Sequence, residues 1–293
     1  MSKDDKNQVQ TTGHEWDGIK ELNNPLPKWW VWIFYATIIW SIGYTIAYPA
    51  WPLLSGSTPG VLGASTRADV AAEIDRFDGM NAGVKAELAS ADMATLSSNP
   101  DVYNYAIQSG RATFATYCSQ CHGSGAAGAA GYPNLLDNDW LWGGDIESIV
   151  YTVSHGVRNE DDEDARLSQM PAFGDDYLEP EEIDNVVNYV RSLSGLDGVD
   201  AAKAEAGAVV FADNCAACHG EDAKGSLANE IEDTGAPNLA DAIWLYGSDY
   251  DTVRHNVEVG PYGVMPAWSK NANFDDAKIK AVAAYVYQLG GGQ

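Results

Sequence analysis

The chain has 293 residues and carries 17 Lys and Arg against 42 Asp and Glu, a net charge of −25. So negative a surface argues against a nucleic-acid partner and suits a basic protein or a crowded aqueous compartment. The length exceeds what one core uses and implies two modest domains with additions.

Residues 1–27 read as a polar tail containing Lys3, Lys6, Lys20 and a solvated His14. A span over 28–50 follows, in which residues 29–48, "WWVWIFYATIIWSIGYTIAY", hold no charge and match the length needed to cross a bilayer. Trp29, Trp30, Tyr48 and Trp51 sit at its ends as interface anchors, and the run is too long for a cleavable signal peptide. Lysines, Lys28 included, precede it, and no Lys or Arg follows until Arg67. The positive-inside rule therefore places the N-terminus in the cytoplasm and the remainder in the periplasm, with a single pass through a bacterial inner membrane. Thr37, Ser41 and Thr45, near Gly43, mark a helix face suited to packing on other spans.

Residues 51–105 divide into a Pro-, Gly- and Ser-rich flexible tether, "WPLLSGSTPGVLGAST", and one or two surface helices in which Val70, Ile74 and Phe77 recur at helical spacing. Met80 and Met93 in this part have no repeat partner and read as packing residues.

From about residue 106 the chain repeats itself. A shift of 97 lays Gly110, Phe114, Cys118, Cys121 and His122 on Gly207, Phe211, Cys215, Cys218 and His219. Pro133-Asn134-Leu135 recurs as Pro237-Asn238-Leu239, Trp140 as Trp244, and Met170-Pro171-Ala172 as Met265-Pro266-Ala267. Ile183, Val186, Tyr189, Val190 and Leu193 recur as Ile279, Val282, Tyr285, Val286 and Leu289. Two tandem domains, 106–196 and 201–293, joined near "SGLDGVD", account for this. Each opens with a helix ending at its cysteines and closes with an amphipathic helix, so each reads as a small all-α unit.

The four cysteines are used up in two Cys-x-x-Cys-His motifs. That spacing is the attachment signature of c-type haem, in which both sulfurs form thioethers and the histidine takes one axial iron position. Cys118, Cys121, Cys215 and Cys218 thus hold two covalent haems, with His122 and His219 as axial ligands. Met170 and Met265, the recurring thioethers, supply the second axial positions, each stiffened by the proline that follows. His155 and His255 are rival ligands, but they do not correspond between the repeats. Pro133 and Pro237 could present carbonyls to the second nitrogen of each ligating ring. Zinc would leave the repeated Met-Pro-Ala unexplained, and dithiol redox chemistry lacks its strand-helix context. The acidic run Asn159 to Asp164, "NEDDED", is a solvated loop or a rim that steers a lysine-rich cytochrome.

"WDGIKELNNPLPKWW", residues 16–30, the helix ending "YPAWP" and the two haem motifs together resemble the dihaem cytochrome c subunit, subunit III, of cbb3-type cytochrome c oxidases. The resemblance covers nearly the whole chain. It implies one N-terminal transmembrane helix followed by two class I cytochrome c domains, with a Cys-Cys-His-Met set within each repeat: Cys118, Cys121, His122 and Met170, then Cys215, Cys218, His219 and Met265. Some members have two N-terminal spans, whereas this chain has one. The implied role is a non-catalytic relay, passing electrons from a c-type cytochrome donor, with the monohaem cytochrome c subunit, to the haem-copper catalytic subunit. Alternatives are a freestanding membrane-anchored dihaem carrier serving a dehydrogenase or reductase, and a haem gas sensor.

Overall fold

The computed structural model describes residues 10–231 and 234–292. Lys3 and Lys6, two of the lysines that precede the span, lie outside the described residues. The fold forms two units, Met1–Gly79 and Met80–Gln293.

The N-terminal unit opens with an antiparallel hairpin, β1 (Thr11–Trp16) and β2 (Ile19–Leu22), an addition to the helical expectation. Its two-residue turn is Asp17-Gly18, both with positive φ (46° and 83°), the backbone that lets a tight hairpin follow the strands' twist. His14 is exposed on β1. Next comes α1 (Lys28–Ala47), 20 residues long and therefore about 30 Å, with no buried residue. The hydroxyls of Thr37, Ser41 and Thr45 donate to main-chain carbonyls of the same helix at 2.7–2.9 Å, so these polar groups are satisfied without a partner span.

The segment after α1 is more ordered than a flexible tether. It forms a short hairpin, β3 (Pro52–Leu53) and β4 (Gly56–Ser57), then folds back so that the N–H groups of Val61 and Leu62 donate to the Ile46 and Ala47 carbonyls. The open C-terminal carbonyls of α1 are thereby capped. Gly60 (φ 70°) makes this possible, because a side chain there would collide with Ala47 and Tyr48. Helix α2 (Thr66–Ser90) begins in this unit, with Val70, Ile74, Phe77 and Met80 exposed.

The larger unit is helical. It contains the end of α2, a 3-10 turn (Met93–Ser98), α3 (Pro100–Thr113), a π-helical turn (Phe114–Cys118), α4 (Ser119–His122) and α5 (Ile146–His155). There follow α6 (Pro180–Leu193), α7 (Ala201–Asn214), α8 (Ala216–His219), α9 (Gly225–Ala228), α10 (Tyr250–Val259) and α11 (Asp276–Tyr287). Starts are set by side-chain caps: Asp145 accepts from Ser148 N–H, Asp249 from Thr252 N–H, Asp275 from Lys278 N–H, each at 2.9–3.0 Å.

The helices do not pair within the repeats. α6 packs on α7 and α10, while α3 and α5 pack on α11. One lobe buries Phe114, Ile146, Ile149 and Val153 of the first repeat with Ile279, Val282 and Val286 of the second. The other buries Phe173, Ile183, Val186 and Val187 of the first with Phe211, Val253 and Val257 of the second. The cause is local: only residues 194–200 join α6 to α7, and helices on so short a connection pack side by side. With α6 taken by α7, α3 and α11 are left for each other.

Both crossings are built alike. Gly110 of α3 lies against the Ala281 main chain and Tyr285, and Gly207 of α7 against the Asn185 main chain and Tyr189; a β-carbon at either would collide with the facing carbonyl. Phe114 then meets Tyr285 at 5.5 Å and Phe211 meets Tyr189 at 5.3 Å between ring centres. The end of α2 covers the first crossing: Leu88 is fully buried among Val102, Ala106, Ala277 and Ala281, with Met93 packed beside them. Lys280 Nζ donates to the Ala89 and Ala91 carbonyls at 2.8 and 2.7 Å, a cation at the negative end of α2.

Candidate functional site

Each lobe encloses a cavity, one of about 760 Å³ and one of about 570 Å³. The larger is lined by Cys118, Cys121, His122, Pro133, Trp140 and Met265; the smaller by Cys215, Cys218, His219, Pro237, Trp244 and Met170. The pairs expected within each repeat, His122 with Met170 and His219 with Met265, are not the ones that share a cavity. The methionine that faces each Cys-x-x-Cys-His motif belongs to the other repeat, because the crossed helices carry their loops with them.

Backbone contacts fix this arrangement. Val157, at the end of α5, exchanges two main-chain hydrogen bonds with Met265, each 3.0 Å. On the other side, the Phe173 and Gly174 N–H groups donate to the Val257 and Glu258 carbonyls of α10 at 3.1 and 3.0 Å, holding the loop of Met170. Gly156 lies against Met265-Pro266-Ala267 and Gly260 against Met170-Pro171-Ala172, too close for a β-carbon in either case. These two glycines therefore seat the methionine loops crosswise.

The motifs themselves are presented by short helical turns that end in left-handed glycines, Gly123 and Gly220 (φ 78° and 81°). The Nδ1–H of His122 donates to the Pro133 carbonyl at 2.9 Å, and that of His219 to the Pro237 carbonyl at 3.0 Å. Burial holds both imidazoles below their ordinary pKa, so the rings are neutral at pH 7 and each Nε2 keeps a free lone pair. Burial, and secondarily the adjacent Cys121, push the Cys118 thiol up to about 11; burial and Cys218 do the same to Cys215. Dithiol redox chemistry needs the opposite shift.

The donors in the smaller cavity fit a bound porphyrin. Among the described residues, the Trp244 indole N–H and the Thr234 hydroxyl are buried with no hydrogen-bond partner, a costly state unless a ligand's polar group meets them. Trp140, the counterpart of Trp244, donates instead to the Asp137 carbonyl at 2.9 Å.

The two cavities share a wall. Tyr132, Pro133, Asp139, Arg158, Tyr246 and Asn256 line both. Burial, then Asp241 and Asp137, push the Asp139 carboxyl up to about 6. Of these wall residues motif reading alone singled out Pro133 and none of the other five.

The rival histidines separate. His255 lines the larger cavity, whereas His155 lines neither; its Nδ1 pairs with the buried Asp162 at 3.1 Å, and its ring packs on Tyr151. Asp162 also meets Lys270 at 3.8 Å, so the run 159–164 is anchored from inside, with Glu160, Asp161, Glu163 and Asp164 exposed.

Comparison with known proteins gives the family. Residues 8–55 match the N-terminal domain of cytochrome oxidase-cbb3, FixP, and residues 106–190 and 202–286 each match cytochrome c oxidase, cbb3-type, subunit III. The chain is 56% identical over 284 residues to the cbb3-type cytochrome c oxidase subunit CcoP of Cereibacter sphaeroides, covering 97% of this chain and 95% of that one. It is 51% identical to the CcoP subunit of Rhodobacter capsulatus, with 98% of each chain covered. It is 48% identical to the FixP subunit of Rhizobium meliloti, covering 99% and 97%. A membrane-length helix, two cavities each lined by a Cys-x-x-Cys-His motif, and likeness at this level along the whole chain place it in the subunit III (CcoP/FixP) family of cbb3-type cytochrome c oxidases.

Proposed function

We propose that His122 and Met265 are the axial pair at one covalent haem c, and His219 and Met170 at the other. The chain is a non-catalytic electron-relay subunit of an aerobic respiratory chain, as its family membership establishes. When bound, the haems supply reversible one-electron exchange.

The protein's own groups do the positioning. Cys118 and Cys121, and Cys215 and Cys218, tether the porphyrin edge. The Pro133 and Pro237 carbonyls orient each histidine and raise its basicity as a ligand. The thioether of each methionine, a soft donor, favours reduced iron. The apolar linings keep water from the metal, a further lever on potential. The shared wall puts both sites inside one packed unit, which suits transfer between them without an intervening partner.

The lysine-rich N-terminal side and the need to attach haem outside the cytoplasm support a cytoplasmic N-terminus and periplasmic haem sites on a single-pass inner-membrane anchor. The partners that fit are a haem-copper catalytic subunit, a monohaem cytochrome c subunit and a basic c-type cytochrome donor, for which the exposed carboxylates at 160–164 offer a charged rim. The observation that carries the reading is the meeting of Cys-x-x-Cys-His, a proline carbonyl and a methionine in each cavity. Purification in mild detergent tests it. Covalent haem surviving acidic acetone, together with co-eluting high-spin haem and copper, is expected; elution of a colourless chain, or of a dihaem chain alone, would refute the covalent sites or the oxidase assignment respectively.

A further inference from the structure

Where the two repeats are aligned at Gly156 and Gly260, Arg158 falls on Tyr262, so among the described residues the cavities share one arginine with no counterpart in the other repeat. Arg158 is one of the few non-glycine residues among those described with positive φ (52°), a backbone conformation that a side chain with a β-carbon rarely adopts. Main-chain bonds hold it there: its N–H donates to the Arg166 carbonyl at 2.8 Å, and Arg166 N–H donates to the Gly156 carbonyl at 3.1 Å.

The side chain lines both cavities. Its Nε–H donates to the Gly263 carbonyl and its Nη1 to the Ser168 carbonyl, the latter at 3.1 Å. Each acceptor lies two residues before a methionine, Gly263 before Met265 and Ser168 before Met170. Tyr262 packs under the guanidinium at 5.6 Å, and Ser168 in turn bonds the Thr234 carbonyl. Neither methionine loop has a helix at this point, so the guanidinium is a direct side-chain link between them.

We infer that Arg158 is a positioning residue that clamps both methionine loops at once, so that axial ligation at the two haems is mechanically shared rather than independent. This rests on reading Met170 and Met265 as ligands. A planar fork with divergent N–H groups can hold two carbonyls in fixed directions, whereas the point charge of a lysine cannot.

The test uses the intact oxidase with Arg158→Gln and Arg158→Lys. Readouts are the two midpoint potentials, the far-red absorption band of methionine-ligated ferric haem, and the fraction of reduced haem c that binds carbon monoxide. The clamp predicts that both variants weaken the far-red band and open both haems to carbon monoxide. Change at only one haem, or full recovery with lysine, would overturn it. Met170→His and Met265→His are measured alongside. If they leave both potentials unchanged, the ligand reading itself has failed. If each moves one potential while the Arg158 variants move nothing, only the clamp has failed. Should Arg158→Gln assemble without haem, the lysine variant alone decides.

Discussion

The two cavities descend from one repeat yet differ in finish. His219 is 8% exposed, whereas His122 is only partly covered. The approach to Cys118 passes through a π-helical turn, but α7 runs regularly to Cys215. An aromatic group of Tyr117, Trp268 and Phe274, with ring centres 4.6–5.7 Å apart, stands beside the larger cavity alone. Trp140 is hydrogen-bonded within the protein, while Trp244 is not. What stays constant is the crossing: in both lobes a glycine of one repeat lets its helix touch the closing helix of the other. The crossing is thus the architecture, and the linings are where the two sites diverge.

The largest effects should come from breaking the crossings one at a time. Gly110→Val and Gly207→Val each force a β-carbon into a facing carbonyl and should destabilise one lobe by about 3 kcal/mol, near the top of the overpacking range. Denaturant unfolding followed at the haem bands would show a lowered midpoint. If the lobes followed the repeats, the damage at Gly110 would spare α11, and cysteines placed on α3 and α11 would not cross-link.

The tryptophan pair sharpens the contrast. Trp140→Phe deletes a made hydrogen bond and should cost about 1 kcal/mol with little change in either potential. Trp244→Phe deletes a buried donor that no protein group meets and that a porphyrin bound there would satisfy, so it should shift the potential at the His219 site while leaving stability nearly unchanged. Redox titration beside thermal unfolding separates the two.

A smaller effect concerns pH. Asp139 keeps its proton up to about pH 6 in the fold but would release it near 3.8 when unfolded. Between those values the folded state binds more protons, so stability falls as pH rises through the window. Asp139→Asn should flatten that slope, read as denaturation midpoints from about pH 4 to about pH 7.

Much of the chemistry was legible in the residues. The cysteine spacing, the paired methionines and the Pro-Asn-Leu turns were visible as repeats, and the proline carbonyls do meet the histidines. The crosswise pairing was not. Two copies of one pattern offer the same apolar faces to themselves and to each other, and repeat alignment cannot distinguish these; the brevity of residues 194–200 carried the signal. The hairpin of residues 11–22 was announced by Asp17-Gly18, a turn signal that helical periodicity does not register. Arg158 had no motif at all, since its position matters only once two distant loops are brought together.

The crossing can be tested by marking one haem. In Cys121→Ala the attached haem retains a single thioether and a free vinyl group, which moves its reduced absorption band to longer wavelength and distinguishes it from the haem at Cys215 and Cys218. Adding Met265→His to this background should lower the potential of the marked haem by roughly 0.2 V, a modest part of the range that axial ligands span, and adding Met170→His should lower that of the unmarked one. If Met170→His instead moves the marked haem, each repeat ligates its own iron and the crossed architecture is wrong.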